Sequence, residues 1–336
     1  MLESSAIKRL KSAKNLLAFS GGLDSSALFF LLLKECINFD IAIVDYQVRE
    51  SSKKEVAYAQ SLAKTYKKHC FVLKAPKIES NFEAEARKIR YEFFYSLMFE
   101  KGYLNLVLAH QLNDRLEWLL MGLSRALGLK GLSGFEAITS REISKDENAK
   151  LIYLIRPLLN TSKDEINAFL DSSHIKHFLD ESNLSDKYLR NIYRKNYATP
   201  LLNMAREQIK TSLNLLSKES RLLYKLPLVC KDKGLYYFKT KALHIDIVLL
   251  DSLLKTLGYQ MSKDQRVLLQ EALESKKDII LGARFIVASN DAFIYLAKTL
   301  DSKVTLPKKI KDLYRRKGIP PKIRPVLFSL YGKAWI

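Results

Sequence analysis

The chain has 336 residues, 48% of them hydrophobic, with 56 lysines and arginines against 36 acidic residues and a formal net charge of +20. The length allows two or three domains, and the apolar share supports packed cores. The charge suits a polyanionic partner, either nucleic acid or an anionic membrane surface. Cys36, Cys70 and Cys230 lie far apart with no Cys-x-x-Cys pair, so neither a zinc ribbon nor a redox dithiol is signalled. No apolar run reaches the roughly 18 residues of a membrane span, and Met1–Ser5 lacks the apolar core of a secretory signal. A cytoplasmic location is expected.

The first half alternates short apolar runs with helical patterns. Strands are predicted at 16–19, 41–44, 71–73, 104–109 and 151–155, and helices at 26–34, 54–67, 81–100 and 113–123. Such alternation, with continuous apolar strands, indicates a parallel sheet covered on both faces. Ligands of these sheets bind beyond the carboxyl ends of the strands, which selects the loops after Phe19, Val44, Leu73 and Ala109. Arg156-Pro157 closes the fifth strand. Ser162 and Glu165 form a predicted capping box for a helix reaching Asp171. Asp180 to Asp186 reads as a polar loop, and 186–226 as basic and helical. From 227 the pattern is mixed: a helix at 243–257 closed by Gly258, then strands at 279–288 and 292–297 around the turn Ser289-Asn290-Asp291. Residues 300–336 hold ten lysines or arginines, two acidic residues and four prolines, which speaks against a long helix.

Chemistry concentrates first in Ser20-Gly21-Gly22-Leu23-Asp24-Ser25-Ser26, between the first strand and its helix. A glycine turn feeding a helix N-terminus presents amides and a positive dipole end to an anion. Asp24 would repel phosphates unless a cation lay between them, and magnesium is the usual one. The stretch is neither Gly-x-x-x-x-Gly-Lys-Ser/Thr nor Gly-x-Gly-x-x-Gly. The plainer reading is a glycine-rich turn in an ordinary α/β protein.

Three further groups stand out. His110 leaves the fourth strand on the ligand side, followed by Asn113, Asp114 and Glu117 at helical spacing. These carboxylates suit a helix cap or an amine site, and His110 suits a phosphate bond or a proton transfer. Arg87 and Arg90 lie three apart near a helix start, where a solvated face is the ordinary explanation. Tyr188 to Lys195 interleaves Arg190 and Arg194 with tyrosines, which fits phosphate contact and base stacking as well as a plain basic helix face.

The glycine loop resembles that of the PP-loop, or N-type, ATP pyrophosphatases. The groups together, in this order, resemble the tRNA(Ile)-lysidine synthetase family within them. Asp45-Tyr46-Gln47-Val48-Arg49 is similar to the family's Asp-His-x-x-Arg. Glu83 to Tyr91 is similar to its Ala-x-x-Ala-Arg-x-x-Arg-Tyr, and His110 to Glu117 to its His-x-x-Asp/Asn-Asp-x-x-Glu. Arg125 to Leu132, Arg156-Pro157-Leu158, Asp180 to Asn183 and Arg190 to Arg194 follow in the family's order, and 300–336 is similar to its small C-terminal domain. Tyr46 stands where the family has histidine, Ala126 where it has glycine, Asn113 where aspartate is frequent, and Trp118 where threonine is common.

The resemblance implies an α/β fold. A Rossmann-like PP-loop ATP pyrophosphatase domain with a parallel sheet (1–195) would precede a middle tRNA-binding domain with a helical linker (196–299) and a small basic domain (300–336). It implies adenylation of the wobble cytidine of isoleucine tRNA with a CAU anticodon, then displacement of AMP by L-lysine. ATP would lie on Ser20, Gly21, Gly22, Leu23, Asp24, Ser25 and Ser26, with magnesium on Asp24. Lysine would lie on Asn113, Asp114 and Glu117. Arg87, His110 and Arg194 would meet the α-phosphate or the base, and they count as catalytic with Asp24, Asp114 and Glu117. Arg190, Arg194, Arg315, Arg316, Lys322 and Arg324 would contact tRNA. No membrane partner is implied, and a homodimer is left open. The competing readings are a tRNA 2-thiolation enzyme of the same superfamily and a non-catalytic RNA-binding protein.

Overall fold

The computed structural model describes residues 1–48, 50–145, 148–178 and 189–332. Arg49, the Asp180 to Asn183 motif and Tyr188 lie outside them. The chain divides into two compact units, Met1–Ser220 and Arg221–Ile336. The divisions expected at 195 and 299 coincide with neither end of these units.

In the first unit, helix α1 (Ser4–Lys11) leads into β1 (Asn15–Ala18), α2 (Leu23–Lys34), β2 (Phe39–Asp45), α3 (Glu50–Thr65), β3 (Cys70–Lys74), α4 (Phe82–Lys101) and β4 (Asn105–Val107). Helices α5 (Leu112–Leu123) and α6 (Leu129–Leu132), the hairpin β5 (Ile138–Lys145) and β6 (Asn148–Ile155), and α7 (Lys163–Ser172) follow. The unit ends with α8 (Leu189–Tyr193), a π-helical turn (Arg194–Ala198) and the start of α9 (Thr199–Leu223), kinked at Ala205.

The sheet order is β3-β2-β1-β4-β6-β5, with parallel pairing throughout except for β5, which runs antiparallel to β6. The expected parallel sheet is present, with one antiparallel strand added at its edge. Alternation along each strand builds both faces. Leu17, Ile41, Ile43, Val107 and Ile155 pack with α1, α2, α3 and α7. Leu16, Ala42, Leu106, Leu108 and Leu154 pack on the other side with Phe94, Leu97 and Met98 of α4. Because apolar residues surround α2 almost completely, it is buried along most of its length. Its N-terminus is thereby held at the carboxyl ends of β1 and β4.

The second unit is a five-stranded sheet of order β7-β8-β11-β10-β9, with every pairing antiparallel. Its strands are β7 (Cys230–Asp232), β8 (Leu235–Lys239), β9 (Ile279–Leu281), β10 (Phe285–Ser289) and β11 (Phe293–Lys298), and its helices are α10 (Leu243–Thr256), α11 (Lys263–Glu274), α12 (Lys308–Arg316) and α13 (Arg324–Tyr331). The single strand expected at 279–288 is two strands, β9 and β10, separated at Gly282, whose φ of 55° breaks the run. Phe285 and Val287 face α10 and α11, while Ile286 and Ala288 face Ile310, Tyr314, Ile323, Val326 and Leu327. Residues 300–332 thus form one wall of this unit's core. Among the described residues no helix is long and apolar enough to cross a membrane.

Candidate active site

The loop after β1 is built to hold its own shape. Gly21 has φ +74°, a conformation that strains any side chain, and a Cβ there would touch Phe178 and Glu55. Phe178 donates its amide to the Gly21 carbonyl at 2.9 Å and pairs with Gly22 as a short parallel bridge. The Ser25 hydroxyl accepts from the Ser20 amide at 3.2 Å and donates to the Gly22 carbonyl at 3.1 Å, and Ser26 Oγ donates to Gly21 O at 3.2 Å. These hydroxyls set the turn from within. Gly22, the N-cap of α2, supplies no side-chain cap, and the first intrahelical bond is Ser26 N to Gly22 O. The amides of Leu23, Asp24 and Ser25 therefore have no partner inside the helix and mark an anion site.

Asp24 sits in the first turn of α2. Burial, then the charge of Asp114, pushes its carboxyl up to about 7, with Lys163 and Arg194 pulling the other way and Glu117 adding to the rise. Its Oδ1 is buried without a hydrogen-bond partner among the described residues. No group of three His, Cys, Asp or Glu side chains able to hold a metal occurs among the described residues. Any cation here would rest on Asp24 and on the ligand's own oxygens.

Helix α5 forms the opposite wall. Its capping box places Gln111 Oε1 on the Asn113 amide at 2.8 Å and Asp114 Oδ2 on the Gln111 amide at 3.0 Å. Asp114 is thus a cap, and its other oxygen is paired with Arg190. Glu117, fully buried, accepts from Arg190 Nε at 2.7 Å and from Arg194 Nε at 2.6 Å. Burial lowers the pKa of both guanidinium groups, but the carboxylates outweigh it and raise them overall. Asn113 Oδ1 accepts the Lys163 amide at 3.1 Å, tying α5 to α7. Arg115 bonds Asn160, Asn214 and Ser217, tying the same helix to α9.

His110 lies between β4 and α5 with Phe135 stacked on its ring, centroids 4.9 Å apart. Burial first, then the charges of Arg156, Arg190, Arg87 and Arg90, push its pKa down to about 3. The imidazole is neutral near pH 7, inside a ring of arginines. The whole arrangement is a helix end with open amides, an acidic helix neutralised by arginine, and a neutral imidazole in a cationic surround.

Residues 3–202 match the family model described as PP-loop domain. The tRNA(Ile)-lysidine synthase of Helicobacter pylori is 41% identical over 97% of this chain and 93% of its own length. That of Wolinella succinogenes is 42% identical over 96% and 94%, and that of Campylobacter jejuni 38% over 98% and 96%. The chain belongs to the tRNA(Ile)-lysidine synthase family. Among solved structures, a U34-tRNA thiolase from Methanococcus maripaludis shares the fold, with a TM-score of 0.50 and 15% identity over 68% of this chain and 79% of that one.

Within this family site, the structure brings Asp24, Asp114, Glu117 and Arg194 within electrostatic reach of one another, and Arg87 and Arg190 within reach of His110. Tyr46, where the family has histidine, donates to the Ala86 carbonyl at 2.9 Å and packs on Phe82, so it fastens the start of α4 beside Arg87. Ala126 has φ +54°, the left-handed conformation that glycine adopts without strain. Sequence reasoning does not single out Phe135, Lys163 or Phe178, and it marks Arg156 as a strand end and as part of the Arg156-Pro157-Leu158 motif, with no role of its own. The order Arg156-Pro157 and the box around Lys163 are visible signals; nothing local marks Phe135 or Phe178. Of the predicted tRNA contacts, Arg315 and Arg316 are exposed on α12. Lys322 bonds Asp278 and Arg324 bonds the Ile319 carbonyl, inside the second unit.

Proposed function

We propose that this protein joins the ε-amine of L-lysine to C2 of the wobble cytidine (position 34) of isoleucine tRNA with a CAU anticodon, splitting ATP to AMP and pyrophosphate. The observation that carries this reading is near full-length similarity to tRNA(Ile)-lysidine synthases, 38–42% identical over almost the whole chain. The site supplies a physical account of each step.

In the first step the cytidine O2 attacks the α-phosphorus and pyrophosphate leaves. The open amides of α2 and the turn at Gly21-Gly22 receive the phosphates. Asp24 fits magnesium, which takes few protein carboxylates together with phosphate oxygens; bound there, the ion would offset charge on the departing pyrophosphate. His110 offers a neutral hydrogen bond, and Arg87 and Arg194 offset charge at the α-phosphate. In the second step the amine forms the C–N bond at C2, the C–O bond to AMP breaks, and the amine loses a proton. Asp114 and Glu117 orient the amine, exchanging Arg190 and Arg194 for it. Anticodon bases are already loop-borne, so presenting this cytidine costs little unstacking. The basic second unit reads the acceptor stem, which separates this tRNA from the methionine tRNA of the same anticodon. A reaction on tRNA belongs in the cytoplasm.

Thiolation chemistry has no support from cysteine placement. Cys36 lies past the far end of α2, about 18 Å along the helix from the glycine loop. Cys70 begins β3, at the end of the strand away from the ligands, and Cys230 is in the second unit.

Purified protein given ATP, lysine and matched tRNAs should release pyrophosphate and incorporate lysine with the isoleucine tRNA and not with the methionine tRNA. Turnover independent of lysine would overturn the assignment.

A further inference from the structure

Trp118 is the residue next to Glu117 and lies four after Asp114, one turn along the same face of α5. Its indole is fixed. Nε1 donates to the Gly131 carbonyl at 2.7 Å, and Gly134, at φ +66°, passes so close that a Cβ there would stand 2.9 Å from Cδ1. Its ring leans on Phe135 with centroids 5.3 Å apart, and Phe135 in turn stacks on His110. The Arg156 guanidinium lies 5.4 Å from the Phe135 ring. Despite these anchors Trp118 remains 40% exposed.

A locked, partly exposed indole at the end of an aromatic stack is a feature that packing alone does not require. An aromatic face beside clustered arginines is the combination that single-stranded nucleic acid uses, one base stacking while its phosphates meet the cations. Because the ring is already ordered, stacking loses little side-chain entropy. We infer that Trp118 is a positioning residue that stacks a base of the RNA loop flanking the reacting cytidine. This rests on the proposed function and adds to it a residue that orients the RNA beyond the reacting base.

The test is steady-state kinetics of Trp118→Ala, Trp118→Phe and Trp118→Tyr, with each substrate varied in turn. Trp118→Ala should raise KM for the tRNA about tenfold, the order expected for one base–aromatic stack. KM for ATP and lysine should stay within about twofold, and the Phe and Tyr variants should recover most of the loss. The chain has two tryptophans, so a Trp335→Phe background leaves Trp118 as the only indole emitter. Adding an anticodon stem-loop should then quench its fluorescence, and this binding readout stays informative should the alanine variant fold poorly. An unchanged tRNA KM with no quench would overturn the inference, and so would a rise confined to ATP, which would put adenine on the indole. Absence of lysine-dependent turnover by the unmodified protein would refute the functional reading instead, while the quench would still report whether RNA meets Trp118.

Discussion

Asp24 and His110 are displaced in opposite senses, and both displacements begin with burial. A carboxylate in the first turn of a helix ordinarily gains from the dipole. For Asp24, burial and Asp114 outweigh that gain and hold the carboxyl near 7, so below that pH the folded, unliganded chain favours the protonated form. The stability this confers is fully present below the ordinary value of 3.8 and is lost as pH rises through about 7. Asp24→Asn removes the charge while keeping the shape. Without ATP and magnesium it should melt above the unmodified protein at about pH 8, gain less at about pH 5 and least at about pH 3, while abolishing pyrophosphate release. Equal gains at every pH in a thermal scan would show that charge is not the cause. For His110 the stability is present above about 6.5 and lost as pH falls toward about 3. Its imidazole is therefore neutral near pH 7 in the unliganded chain, beside the charges of Arg156, Arg190, Arg87 and Arg90.

The segment formed by α8 and the π-helical turn shows what an element does that no single residue discloses. It carries Arg190 and Arg194 onto Asp114 and Glu117, so the acidic wall expected to hold an amine is already neutralised from within the chain. Arg190→Ala leaves buried Glu117 with Arg194 as its remaining arginine partner, so the loss of stability should stay below about 3–5 kcal/mol, the cost typical of a buried charge left uncompensated. If the lysine ammonium occupies the same oxygens, millimolar lysine should raise the melting temperature of Arg190→Ala more than that of the unmodified protein. No difference in a thermal-shift titration would move the amine away from these carboxylates. This pairing was hidden in the sequence because 73 residues separate Glu117 from Arg190. The phosphate loop was legible because β1, the turn and α2 are contiguous and their pattern switches abruptly from strand to helix. Strand β5 was not, since Ile138 and Ile143 are its only large apolar residues and an edge strand need not alternate. Helix α1 escaped notice for a similar reason, burying only Ala6 and Leu10.

At the scale of the whole molecule, charge is unevenly divided. Residues 221–336 hold 23 lysines and arginines against 10 acidic residues, while 1–220 hold 33 against 26. The smaller unit thus supplies most of the net charge, and a polyanion is bound through such an excess with strong salt dependence. The sequence reading makes 300–336 a small basic domain of its own. Because Ile310, Tyr314, Ile323, Val326 and Leu327 fill one face of the antiparallel sheet, removing it would uncover that core and confuse loss of fold with loss of RNA binding. Charge removal on the outer face of α12 separates the two. Arg315 is 74% exposed at its side chain and meets Asp312 only at 3.5 Å, a surface pair of little energetic weight. Replacing Arg315 and Arg316 with alanine should leave the melting temperature almost unchanged and weaken tRNA binding. The slope of log affinity against log salt should fall by roughly 0.7–0.9 for each phosphate that is no longer neutralised. Phosphate contacts carry no base information, so isoleucine and methionine tRNAs should lose affinity alike. An unchanged slope, measured by filter binding across a salt series, would show that α12 does not touch the tRNA.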